Sequence, residues 1–487
     1  MDLALSTAKG DGYTESSEAS DSMYKQSTWR NIMIIISLSM ASIHFGYYAC
    51  IFNSMAVPLF EGHYRMTVQQ KDDLEGNVNT LFGLGTLIGA SFTGKLSEVF
   101  GRRKLVMLYD LLTIIVVAMY YIDSINVLYL TRFLSGYLAV GAYSLSTIVQ
   151  AEVLPKRLSG NANAFAQLMY NTFVCLSYLQ QNILSKESLI KNWRWILCWT
   201  IFPQIIKLLM VPFFWPTESP KFYLSKYAKT EDREALRFKM VAMYSVTHTS
   251  EEATSAANDS LEVYEKEQES KKQNGSILYL ILSSDIRKRF FAGLLLGMSQ
   301  QFCGQPYFAL YSTDLFNRVS GNGKEVTFFI AMSRIAGGIL IIIGTRTFGR
   351  KISLLTGMGM QFITLGLVLL SLEYRYPVAC FISTFAFMCS FSFGVGGTFY
   401  VFINEILPPT GVGLSAGILA FINVILVKVI PVTALAFGDP ALLIFFWICC
   451  FLLFFCIDYL VIETKGKSES RIIEEYKNKP YIMFDFE

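Results

Sequence analysis

Gly101-Arg-Arg-Lys104 follows one apolar run, and Gly349-Arg-Lys351 follows another, roughly 250 residues later. Two more pairs keep the same order and a similar separation. Glu152 ends the second apolar run after the first triplet, and Glu405 ends its counterpart in the other half. Glu218-Ser-Pro-Lys221 follows the sixth run, and Glu463-Thr-Lys-Gly466 follows the twelfth. Chance produces one such echo; three in register describe a duplicated unit. The unit is six apolar runs, each near the ~20 residues that a bilayer core asks of a helix.

The first six runs lie near 31–53, 77–98, 105–123, 126–153, 161–183 and 192–214. The second six lie near 290–316, 325–346, 352–372, 377–407, 412–435 and 441–462. The expected fold is an all-α membrane protein, with twelve transmembrane helices in two six-helix bundles, 31–214 and 289–463. A charged linker, 215–288, joins the bundles. Within it Asp232-Arg-Glu-Ala-Leu-Arg-Phe-Lys-Met-Val reads as a short amphipathic helix, and 248–275 as solvated chain. The polar segment 1–30 reads as a disordered tail, and 464–487 as a second tail.

Composition agrees with a lipid environment. Hydrophobic residues make up 53% of the chain and charged residues 16%, well under the ~25% of soluble domains. Such a chain cannot cover its own surface with polar groups in water. The net charge of +3 points to no nucleic-acid partner. The nine cysteines sit in apolar runs without metal-ligand spacing, and His44, His63 and His248 lie in different regions. No nucleophile–base constellation stands out, so no enzyme activity and no cofactor are expected.

Basic residues set the expected orientation. Arg102, Arg103 and Lys104, then Lys156 and Arg157, then Arg346, Arg350 and Lys351 fall in loops on one side. That side reads as cytosolic, and so do both termini. The glycosylation patterns at Asn258 and Asn274 fall in the linker and are expected to be unused.

Gly94-Lys-Leu-Ser-Glu98-Val-Phe-Gly101-Arg-Arg-Lys104 resembles the major facilitator signature between the second and third spans. Glu152-Val-Leu-Pro155 with Arg132, Thr217-Glu-Ser-Pro-Lys221, Ser299-Gln-Gln-Phe-Cys-Gly304, Phe45-Gly-Tyr47 and Glu463-Thr-Lys-Gly466 are similar to boxes of its sugar-porter branch. The resemblance implies the major facilitator fold, alternating access and a small-solute substrate. It also implies a set of ion pairs that gate the cytosolic mouth, with Arg102 or Arg103 facing Glu152 and Arg350 facing Glu405. Such pairs are expected to hold the two bundles together in one state. Positions that the family uses for sugar hydroxyls hold Gln167, Gln300, Gln301 and Asn423 here, and Tyr400 takes the place of a cavity-lining Trp. Amides suit a sugar because each both donates and accepts.

Several positions depart from the family pattern. Gln305-Pro306 replaces the usual Ile-Asn after Gly304. Ser392 holds the usual acidic position of the tenth span, and Ser159 and Val412 replace two arginines of the gate. Tyr48 stands where proton-coupled relatives carry Asp, which favours facilitated diffusion. Arg334 sits in mid-span, where a charge costs about 2.5–3.5 kcal/mol unless it faces the bundle interior or a wet cavity. It is a candidate ligand for substrate oxygens, and an internal ion pair or bonds to backbone carbonyls are the competing readings.

The expected function is transport of a hexose or related polyol by a monomer in the plasma membrane, as a uniporter. The alternatives are a proton-coupled sugar symporter, an organic-anion transporter using Arg334, and a non-transporting nutrient receptor.

Overall fold

The computed structural model describes residues 28–228, 232–274, 284–321 and 323–478. Most of the expected tail 1–30 lies outside these residues. Six long helices form the first bundle: α1 Thr28–Phe52, α2 Val68–Phe100, α3 Arg102–Met119, α4 Ile125–Val153, α5 Lys156–Ile183 and α6 Trp193–Phe214. The linker carries α7 Pro220–Tyr227, α8 Arg233–Tyr244 and α9 Ser250–Asn274. The second bundle contains α10 Ser284–Phe302, α11 Gln305–Ser320, α12 Gly323–Thr347, α13 Arg350–Glu373, α14 Pro377–Phe393, α15 Val395–Ile406, α16 Pro409–Phe437 and α17 Asp439–Leu460. A final helix, α18, spans Glu469–Asn478.

Two of the twelve spans are interrupted at a glycine. Gly304 sits at φ +93°, separating α10 from α11, and Gly394 separates α14 from α15. Broken backbone at membrane depth is tolerated where it lines protein or a cavity, and both breaks face the interior.

Close packing within and between bundles rests on small residues. A Cβ on Gly85, Gly89 or Gly136 would lie 2.1–2.2 Å from a carbonyl oxygen of the facing helix, so α2 and α4 touch through their backbones. Across the bundle seam α2 packs on α16, where a Cβ on Gly417 would meet Ser91 Oγ at 2.2 Å. Helix α5 packs on α12 in the same way, the second seam contact.

The duplicated motifs do the same structural work twice. Gly101 (φ +94°) and Gly349 (φ +100°) turn the chain into α3 and α13. Glu218 then accepts from Arg103 N at 2.7 Å, and Glu463 accepts from Arg350 N and Lys351 N at 3.0 Å. Each carboxylate sits on a helix N-terminus, where unpaired N–H groups and the helix dipole favour an anion. A side chain at either glycine would run into that carboxylate.

The stretch expected as solvated chain, 248–275, is helical over Ser250–Asn274, with residue 275 outside the described residues. Ala253, Ala257 and Leu261 recur every fourth residue and bury against Leu236, Met240 and Tyr244 of α8. The segment 464–487 is likewise not only tail. Ile472 and Tyr476 of α18 join the core of the second bundle.

Candidate functional site

Between the bundles lies a cavity of about 250 Å³. Gln167, Gln300, Gln301, Arg334, Tyr400 and Asn423 all line it, from α5, α10, α12, α15 and α16. The amides are half satisfied by protein. Tyr143 donates to Gln167 Oε1 at 2.9 Å, and Asn423 Nδ2 donates to Gln301 Oε1 at 3.0 Å. Gln300 Nε2 donates at 3.3 Å to the carbonyl of Val395, the first residue of α15. Their remaining groups, Gln167 Nε2, Gln301 Nε2 and Asn423 Oδ1, have no protein partner among the described residues. Tyr400 meets Tyr143 edge-on at 4.9 Å, closing the aromatic side of the cavity.

Arg334 is 6% exposed. Its guanidinium lies 5.7 Å from the ring centres of both Tyr170 and Phe391, and its Nε has no partner. The internal ion pair that competed as an explanation of Arg334 is absent among the described residues. Asn171, one residue from Tyr170, bonds the backbone carbonyl of Arg334 at 3.2 Å and Ser392 Oγ at 3.5 Å.

Arg132 borders the same cavity but is fully employed. It donates to the carbonyls of Tyr48 (2.9 Å) and Val78 (3.4 Å) and to Asn79 Oδ1 (3.3 Å). The rings of Phe52 and Phe82 sandwich it at 4.5 and 4.4 Å. Tyr48 itself donates to the carbonyl of Leu197. No carboxylate joins this cluster among the described residues.

At the end that carries the basic loops, both expected ion pairs form, but they do not join the bundles as expected. Arg102, not Arg103, meets Glu152, through Nε and Nη2 at 3.1 and 3.0 Å, and Ser219 also donates to that carboxylate. Arg103 follows Arg102 by 100° around α3 and points elsewhere. Arg350 meets Glu405 at 2.8 Å. Both pairs are internal to a bundle, α3 with α4 and α13 with α15, because each motif and its glutamate belong to one repeat. They therefore do not tie the bundles together. Ties across the seam at this end include Lys221 to Glu469 at 2.5 Å and Thr345 to Asn161 at 3.4 Å. The guanidinium of Arg350 also lies against Gly160 of α5. Ser159 and Val412, where the family carries arginines, are buried in this seam.

Sequence reasoning missed one buried pair. Lys207 of α6 meets Asp110 of α3 at 2.7 Å, and both side chains are inaccessible to solvent. The signal was present, since Lys207 interrupts the apolar run 201–214 and a charge there demands a partner.

The sequence profile described as "Sugar (and other) transporter" matches residues 32–476. This chain belongs to that family. The Arabinose-proton symporter of Bacillus subtilis is 26% identical over 424 residues, covering 82% of this chain and 86% of the symporter. The Glucose transporter GlcP of Staphylococcus epidermidis is 25% identical over 423 residues, covering 83% and 89%. Among solved structures, the proton:xylose symporter XylE bound to 6-bromo-6-deoxy-D-glucose superposes with a TM-score of 0.76 at 17% identity. It covers 92% of this chain and 99% of its own, so the twelve-helix, two-bundle major facilitator fold is shared throughout. The inward-open form of XylE from E. coli superposes with a TM-score of 0.63.

Proposed function

We propose that this member of the family carries a sugar-sized, polyhydroxylated solute, a hexose or related polyol, across the plasma membrane by alternating access. One observation carries the reading. Half-satisfied amides from both bundles, Gln167 from the first and Gln301 and Asn423 from the second, open into one cavity between them. A solute bridging those groups contacts both halves, and its hydroxyls replace the water that the cavity holds when open. The cargoes named for the relatives, arabinose and glucose, support the same class.

The bundles are tied at the basic end, which we read as cytosolic, by Lys221 and Glu469. Release of solute to that side requires this tie to open while α2–α16 and α5–α12 rock past each other. The pairs Arg102–Glu152 and Arg350–Glu405 serve as braces that keep each bundle rigid during the swing. The protein acts as a monomer and needs no cofactor in this scheme.

Transport is by facilitated diffusion. Tyr48 occupies the coupling position, and Arg132 is satisfied by carbonyls, Asn79 and aromatic rings without an acid that could cycle a proton.

Uptake of labelled glucose, fructose and a polyol into proteoliposomes, with and without a pH gradient, tests this. The expected result is saturable uptake that is indifferent to the gradient. Accumulation driven by an inward proton gradient would replace uniport by symport. Absence of any flux from protein that unfolds cooperatively would remove the neutral-sugar assignment.

A further inference from the structure

We propose that the preferred cargo of this cavity is a sugar acid, a hexose-sized solute bearing a carboxylate that Arg334 binds. The inference rests on the reading of the cavity as a transport site and narrows its substrate class.

The cavity carries charge of one sign. Two guanidiniums, Arg132 and Arg334, stand in its lining, and none of its lining residues is Asp or Glu. The small cavity on the other side of Arg334 holds no acid either. Arg132 has its partners. Arg334 has no counter-ion among the described residues: its polar neighbours are neutral, the Tyr170 hydroxyl, which hydrogen-bonds it, and the Cys50 thiol, and its Nε is buried and unbonded.

The arrangement presents an edge rather than a face. Tyr170 and Phe391 pack against the guanidinium at equal distance and fix it, which leaves the N–H donors that the Tyr170 hydroxyl does not take for a ligand. A planar fork of parallel N–H donors matches the two oxygens of a carboxylate.

Alternating access supplies the energetic argument. While the cavity is open, water solvates the guanidinium. When the bundles close around cargo, that water leaves, and a charge without a counter-ion in low dielectric is costly. A neutral hexose would leave Arg334 uncompensated in the occluded state. A carboxylate would neutralise it at the same moment, so the closed state is reached more readily with an acid aboard. The amides of Gln167, Gln301 and Asn423 then take the hydroxyls at the other end of the same molecule.

The test uses the full chain in proteoliposomes with labelled D-glucuronate and D-glucose as probes. For the wild-type chain, glucuronate uptake should saturate at lower concentration than glucose uptake by at least tenfold. Unlabelled D-galacturonate should compete with it. An inside-positive membrane potential should drive glucuronate, and not glucose, above the equal-concentration limit that a uniported neutral solute reaches. In Arg334→Gln the ratio of glucuronate to glucose uptake should fall at least tenfold, and Arg334→Lys should restore part of it. Melting curves report folding of both variants, and the potential and competition arms need no variant at all. Saturable glucose uptake without glucuronate uptake or competition would overturn the inference and leave sugar transport standing. No flux of either probe through folded protein would overturn the transport reading as well.

Discussion

Lys221 and Glu469 face each other at 2.5 Å across the seam between the two halves of the chain. Lys221 lies in α7, just after the first bundle, and Glu469 begins α18, just after the second. Asp259 of α9 fixes the carboxylate's position, accepting from the backbone of Glu469 and Ser470 at 3.2 and 3.3 Å. Linker and C-terminal helix thus hold the basic end shut together. A partly exposed pair of this kind is worth about 1 kcal/mol, a shift of roughly fivefold between open and closed populations. Lys221→Ala should therefore raise the labelling rate of a cysteine placed at Ser159, buried in the seam, by about that factor. An unchanged rate, after subtraction of the native thiols, would show that the pair does not contribute to closure.

The same pair sets a pH expectation. Burial pushes the Glu469 carboxyl up, but the charge of Lys221, with Lys156 behind it, outweighs that and holds it down at about 2. A carboxyl depressed below its unfolded value contributes stability above that unfolded value and loses it as pH falls through the folded one. The tie should stay intact from neutral pH to well below pH 4. Seam labelling rates at pH 7.5 and pH 5, each divided by the rate of a fully exposed reference cysteine at the same pH, should be equal, and a relative rise at pH 5 would assign the closure to other groups.

Asp110 and Lys207 pose a different question, since neither reaches solvent. Removing one partner strands a charge inside the first bundle, at a cost of about 3–5 kcal/mol. Asp110→Asn and Lys207→Met should each lower the melting temperature of the detergent-solubilised protein markedly. The double variant should recover most of the loss. A double variant as unstable as the singles would mean that the pair is more than a self-compensating buried couple.

Twelve spans and two repeats were legible because lipid imposes length and apolarity, and because Gly101, Gly349, Glu218 and Glu463 serve one local geometry twice. The amides of the cavity were legible because a polar group at mid-span is costly without a partner. The choice of Arg102 over Arg103 was not, since it depends on which face of α3 meets α4. That Arg102–Glu152 and Arg350–Glu405 brace single bundles follows from three-dimensional adjacency, which motif spacing does not encode. The helix 250–274 was hidden because Ala253 and Ala257 look neutral on a charged background until α8 covers them.

Asn423 and Gln301 bind each other at 3.0 Å and offer their remaining groups to the cavity. If they hold cargo hydroxyls, Asn423→Ala removes one ligand and lets Gln301 swing. The half-saturation concentration should rise by about five- to thirtyfold, the value of one or two hydrogen bonds. The maximal rate should change less. Equal losses in both, with normal binding, would place the pair in the rocking motion instead.

His248 reports on the docking of the linker. It follows Thr247, whose hydroxyl donates to the carbonyl of Val153 and whose own carbonyl accepts from Asn31, so this corner fastens the linker to α1 and α4. Burial lowers the imidazole from 6.5 to about 4, because the charged form loses its water. The unfolded chain therefore takes up the proton at higher pH than the folded one. Stability is full above about pH 6.5 and declines as pH falls toward 4, by on the order of 3 kcal/mol across the window. The melting temperature should fall with acidification in that range, and His248→Gln should flatten the slope while leaving the value at pH 7.5 within a few degrees. A slope unchanged in the variant would place the acid sensitivity elsewhere and leave His248 a spectator of the docking.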